Sequence, residues 1–122
     1  MRVLVCCDYL DFDGLFSLIL DDAGHSTAVV ARDELAAALG DHTVRVVVTA
    51  TAIGEEHPVR ISRRLRPDVR IVVMSTWSLS TARDHLPEAD VSVECDGSHD
   101  LPARLVAAVA SPPTGRSGAS PC

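Results

Sequence analysis

Short runs of consecutive apolar residues alternate along the chain with stretches in which apolar residues recur every three or four positions. Val3–Cys7 is an unbroken apolar run of strand length, stopped by Asp8. From Asp11 to Ala23, the positions of Phe12, Leu15, Phe16 and Ile19 fall on one face of a helix, and Gly24 supplies the stop. Thr27–Ala31 predicts a second strand. Asp33 predicts the cap of a short helix running through Leu35, Ala36 and Leu39 and ended by Gly40. Val44–Val48, β-branched at every position but Arg45, is the clearest strand. Val59, Ile61 and Leu65 predict a short helix that stops before Pro67, and Val69–Met74 a fourth strand. Ser80 opens a weak helix that Pro87 ends. Val91–Val93 predicts a fifth strand, and Leu101–Ala110 a last helix with Leu101, Leu105, Ala108 and Val109 on one face.

Five nearly all-apolar strands alternating with five helices predict an α/β fold with a parallel sheet covered on both faces. Right-handed crossovers then favour a doubly wound, flavodoxin-like three-layer sandwich. This domain spans residues 1–110. Residues 111–122, Ser-Pro-Pro-Thr-Gly-Arg-Ser-Gly-Ala-Ser-Pro-Cys, bury nothing by composition and predict a flexible tail.

Composition narrows the chemistry. The chain has 122 residues, room for one domain, and its 47% apolar and 23% charged fractions are those of a folded protein. Aromatics are only 3%, so Val, Leu, Ile and Ala must build the core. All 11 basic side chains are Arg, which excludes a phosphate-binding P-loop lysine, a Schiff base or a lysine general base. The net charge of −6 argues against direct nucleic-acid binding. Cys6, Cys7, Cys95 and Cys122 show neither CxxC nor zinc spacing, so no metal is expected. The first apolar run is too short for a signal peptide, and nothing approaches the roughly 20 apolar residues of a membrane span, so a cytoplasmic chain is expected.

Ligands of such a fold sit beyond the carboxyl ends of the strands. Those ends carry Cys7 and Asp8, then Thr49 and Ala50, then Ser75, then Cys95. The first strand-to-helix loop has no glycine fingerprint. It holds Asp8, Asp11 and Asp13, which suit a helix dipole and repel a phosphate, so neither FMN nor a nicotinamide cofactor is expected and no cofactor is assigned.

Arg2-Val-Leu-Val, Asp8, the segment Asp21-Asp22-Ala23-Gly24-His25, the segment from Arg63 to Ser75 and Ala89-Asp90 together resemble a response-regulator receiver domain over residues 1–110. The resemblance implies two acidic residues after the first strand that hold Mg²⁺, a phosphoacceptor Asp after the third, a Ser or Thr after the fourth and a Lys after the fifth. The acidic pair falls here on Cys7 and Asp8, the acceptor on Ala50 or, one position earlier, on Thr49. The hydroxyl is kept as Ser75, the lysine position holds Cys95 followed by Asp96, and the aromatic switch position holds Ser92. Without a carboxylate nucleophile, a full Mg²⁺ ligand set or the cation that clamps a phosphoryl group, the family's chemistry is lost. The expectation is a pseudo-receiver, not an enzyme, acting by protein contact in signal transduction or transcriptional regulation. By family resemblance, its partner or a second copy docks on the fourth helix, fifth strand and fifth helix.

Two other readings use the same residues. Cys7 and Cys95, placed at neighbouring strand ends, would frame with Trp77 and Asp96 a small-molecule, metal or thiol-redox sensor; the plainer reading makes the cysteines fillers of a vacated pocket and Trp77 a cover. Leu10-Asp11-Phe12-Asp13-Gly14 resembles the first motif of haloacid-dehalogenase-type phosphohydrolases, although Asp11 and Asp13 also suit the first turn of a helix. Arg60, Arg63, Arg64 and Arg66 form a basic stripe expected to be solvated. The five histidines show no ligand spacing and are expected at the surface.

Overall fold

A computed structural model describes residues 2–6, 13–50, 57–75, 84, 88–94 and 100–110. Strands β1 (Arg2–Cys6), β2 (Ser26–Val29), β3 (Val44–Ala50), β4 (Arg70–Ser75) and β5 (Val91–Glu94) form one parallel sheet in the order β2-β1-β3-β4-β5. Helices α1 (Asp13–Asp22), α2 (Leu35–Ala38, entered through a 3-10 turn at Arg32–Glu34), α3 (Pro58–Leu65) and α4 (Leu101–Ala110) connect or follow the strands. The expected doubly wound sandwich is the observed one. The expected weak helix opening at Ser80 falls, Asp84 apart, outside the described residues, as does 111–122.

Period-two alternation divides the core into two layers. Val3 and Val5 of β1, Val46, Val48 and Ala50 of β3, and Val72 and Met74 of β4 pack with Phe16 and Leu20 of α1 and Leu105, Ala108 and Val109 of α4. Leu4, Cys6, Val47, Ile71 and Val73 turn the other way, onto Leu35, Leu39, Val59 and Ile61. Cys6 is therefore core, as its place in the apolar run implies. One irregularity breaks the alternation. The β1–β3 register passes from Arg2↔Val44 to Val3↔Val46, so Arg45 is the extra residue of a bulge and stays exposed.

The ends of α1 and α2 show different solutions. Gly24, at φ +96°, closes α1: its N–H bonds Asp21 O at 3.0 Å while His25 N–H bonds Leu20 O at 3.0 Å, the paired bonds of a Schellman turn. Asp33 does not cap the next helix. It lies inside the 3-10 turn, and Glu34 reaches back to accept from Ala31 N–H at 3.0 Å.

The basic stripe is a solvated face only in part: Arg64 is exposed as expected, whereas Arg63 and Arg66 are half-buried and bonded. Arg63 donates to Pro67 O (2.7 Å), Val69 O (3.1 Å), Glu88 O (3.0 and 3.3 Å) and Asp90 Oδ2 (2.7 Å). Asp90 Oδ2 also accepts from Ile71 N–H at 2.8 Å, so one carboxylate joins α3, β4 and the entry to β5. Arg66 donates to Leu39 O and Asp41 O (both 3.1 Å) and Val44 O (3.0 Å), closing the α2–β3 turn, and pairs with Asp68. Arg60 lies 3.6 Å from Glu88. Arg70, buried at the start of β4, donates from Nε to Ala108 O at 2.8 Å, a cation on the last turn of α4. These are tasks for a planar five-donor fork rather than an ammonium, which gives the absence of lysine a structural reading.

Candidate functional site at the carboxyl end of the sheet

The strand order reverses between β1 and β3, so the crevice of this fold opens beyond Cys6 and Ala50. β3 reaches that edge because it continues two residues past the expected stop at Val48, through β-branched Thr49 to Ala50. Thr49 is 1% and Ala50 3% exposed. Thr49 lies opposite Cys6 in the register and donates its hydroxyl to Cys6 O at 2.7 Å, which ties the two strand ends together. Ala50 faces the other layer, beside Val48 and Met74. Ser75, also fully buried, ends β4 opposite Glu94 of β5. Both residues on which the receiver resemblance places the phosphoacceptor thus lie at the end of β3, one a methyl and the other a hydroxyl already committed to a carbonyl.

Beneath this edge sits a residue that the sequence reading assigned to the surface. His57 is 2% exposed. It precedes Pro58, the first residue of α3, with φ −70° and ψ 140°, and so occupies the N-cap. Its Nδ1 accepts from Val59 N–H at 3.0 Å and its Nε2 lies 3.1 Å from Ala50 O. An acceptor at Nδ1 and a carbonyl at Nε2 require the neutral tautomer with its proton on Nε2. Burial pulls the His57 pKa below its usual 6.5; the bond to Ala50 O acts against this, Arg60 and Arg32 reinforce it, and Glu88 opposes it. His57 clasps the two ends of the β3–α3 connection, Ala50 and Val59. The available signal was His-Pro at a helix start, since a residue before proline is held extended and proline favours the first helical position.

The remaining expected site residues, Cys7, Asp8, Trp77, Cys95 and Asp96, lie outside the described residues. The sheet nevertheless corrects one expectation about them. The strands leading into Cys7 and Cys95 are not neighbours: β3 and β4 lie between β1 and β5, an axis separation of about 14 Å at the usual strand spacing. Asp13 begins α1, the helix-start position its spacing suggested, while Asp11 lies outside the described residues. Ser92 is half-buried in β5. Of the other histidines, His42 is exposed and His25 half-buried. Among the described residues no three His, Cys, Asp or Glu side chains are grouped to hold a metal, and no helix is long and apolar enough to cross a membrane.

No family model matches the chain, and no curated protein matches it in sequence. Solved structures do. A response regulator from Thermotoga maritima superposes with a TM-score of 0.71 at 18% identity, over 90% of this chain and 98% of that one. A response regulator receiver protein from Sinorhizobium medicae WSM419 gives 0.69 at 22%, over 89% and 90%. The fold is the receiver fold. NtrX from Brucella abortus, solved in complex with ADP, matches with a TM-score of 0.70 at 23% identity over 88% of this chain but only 26% of its own, so the receiver fold also occurs there as part of a longer chain. Within this fold, β1 and β3, two of the four strands whose ends the sequence resemblance marked, border the crevice.

Proposed function

We propose that this chain is a receiver-like signalling domain that works by protein contact and without phosphorylation, in the cytoplasm, rather than as an enzyme. One observation carries the reading. The strand end bordering the crevice carries Thr49 and Ala50, both buried, so no carboxylate stands there to form an acyl phosphate. Thr49 Oγ1 is bound to Cys6 O and Ala50 O to His57, so the polar groups of this strand end are engaged internally. The absence of lysine from the whole chain removes the cation that the family's chemistry requires after the fifth strand. The similarity to response regulators supports a place in signal transduction with protein partners as its readout, and the net charge of −6 argues against direct nucleic-acid contact.

The test is intact mass after incubation with acetyl phosphate and Mg²⁺. An unchanged mass is expected. A phosphoryl adduct on any residue refutes the reading.

A further inference from the structure

Helix α3 is held differently at its two ends. Towards its C-terminus Arg63 bonds Pro67 O, Val69 O, Glu88 O and Asp90, and Arg66 N–H closes the last turn on Ser62 O at 2.8 Å. The first turn depends on one residue. Pro58 has no N–H to satisfy, Arg60 and Ile61 N–H bond His57 O at 3.0 and 3.1 Å, and Val59 N–H finds its acceptor in the His57 ring. The same ring reaches Ala50 O at the end of β3, so one side chain joins both ends of the β3–α3 connection.

Ser, Thr, Asp or Asn is the usual residue at a helix N-cap, and none of them stops accepting as a neutral solution turns mildly acidic. An imidazole does. Nδ1 accepts from Val59 only while it carries no proton; a proton there sets N–H against N–H, and the ring must give up its place. Little in that place favours the charged form. The ring is 2% exposed and lies at the positive end of the helix dipole. Among the described residues it faces Arg60 of α3 itself and Arg32 of the 3-10 turn before α2. One carboxylate faces it, that of Glu88 ahead of β5, and this already lies 3.6 Å from Arg60.

We propose that His57 is a proton-operated latch: on protonation its ring leaves the buried N-cap, gives up Val59 N–H and Ala50 O, and frees the β3–α3 connection beside the crevice while the rest of the fold stays intact. Val59 and Ile61, packed with Leu4, Cys6 and Leu35, and Arg63 at the other end keep α3 on the sheet, which confines the change to the first turn and the connection. The latch adds an input to the contact reading, since with Thr49 and Ala50 at the strand end the border of the crevice answers to a proton instead of a phosphoryl group. It follows from the geometry of the ring and does not rest on that reading.

The test is an NMR titration of the isotope-labelled full chain from about pH 8 to about pH 4, with amide hydrogen exchange measured along it. Expected are the neutral ring with its proton on Nε2 at high pH and a His57 midpoint below 6.5. At that same midpoint the Val59 amide and Ala50 carbonyl resonances move, and Val59 N–H loses about tenfold or more of its exchange protection while the amides of β1, β3 and β4 keep theirs. His57→Asn retains a cap acceptor and should remove the step at Val59 and Ala50, although the other histidines still titrate. A Val59 amide unmoved through the His57 titration overturns the proposal. So does protonation of His57 only where protection is lost across the whole sheet, which makes the histidine a structural cap and nothing more, and so does a step that persists in His57→Asn. The first two measurements use the wild-type chain and decide the matter even where the variant does not fold. A phosphoryl adduct in the mass experiment removes the contact reading and leaves this titration unaltered, so the two fail separately.

Discussion

Replacing Arg63 with lysine keeps the charge and removes the fork. The guanidinium makes five hydrogen bonds, to three backbone carbonyls and the Asp90 carboxylate, from a side chain only 27% exposed. An ammonium reaches one or two of these acceptors at once. Partly buried carbonyls that lose their donor forfeit about 1 kcal/mol each, and the ion pair with Asp90, itself 20% exposed, is worth a further ~1 kcal/mol. Arg63→Lys should therefore destabilise by about 2 kcal/mol and Arg63→Ala by about 3–4 kcal/mol. At this chain length those losses lower Tm by about 8 °C and 12–16 °C. Urea denaturation followed by circular dichroism measures both. Asp90→Asn supplies the second arm of a double-mutant cycle, and its coupling to Arg63→Ala should reach about 1–2 kcal/mol because the two share a bond and the clasp on Ile71 N–H. If Arg63→Lys is as stable as wild type within about 0.5 kcal/mol, the arginines are surface charges after all and the argument about the fork fails.

Other expectations follow from single features. Gly24→Ala meets no steric neighbour, so its whole penalty is the left-handed backbone; about 1–2 kcal/mol should be lost in the same urea assay, and an unchanged midpoint would contradict the turn described. Because the folded pKa of His57 lies below its usual 6.5, the unfolded chain binds more protons between the two values. The stability His57 contributes is thus complete above about pH 6.5 and is lost as pH falls through the depressed value. His57→Asn, which keeps an N-cap acceptor, should flatten that part of the stability–pH curve, and an identical slope in both proteins would count against the buried neutral histidine. Asp41 and Asp68, whose pKa values lie below 3.8 through hydrogen bonds from Thr43 and Arg66, titrate well under this window and do not confuse it. Thr49→Val removes the donor to Cys6 O at constant shape and should cost about 1 kcal/mol; a gain in stability would show that the strand ends do not depend on that bond.

Much of the fold was written locally. Runs such as Val46–Val48 and Ile71–Met74 can be buried on both faces only between two helical layers, and the three-to-four spacing in α1 and α4 names residues that cover one of those faces, Phe16, Leu105, Ala108 and Val109. Gly24 as a helix stop and the uncharged pair Thr49–Ala50 at the end of the third strand are likewise properties of single positions, readable without coordinates. What the linear pattern does not carry is which distant groups meet. Periodicity encodes a buried face, not a hydrogen-bond partner. The carbonyls of Leu39 and Glu88 come to Arg66 and Arg63 from 27 and 25 residues away, so only packing shows those arginines to be staples. The same limit hid His57, whose two ring nitrogens find Ala50 O and Val59 N–H once β3 and α3 are docked. It also placed β1 and β5 side by side when the sheet sets two strands between them. The chain's own pattern determined the layers and the identity of the residues at the strand ends; tertiary structure alone decided the order of the strands and the partners of Thr49, Arg63 and Arg66, because those depend on segments remote in sequence arriving at one place.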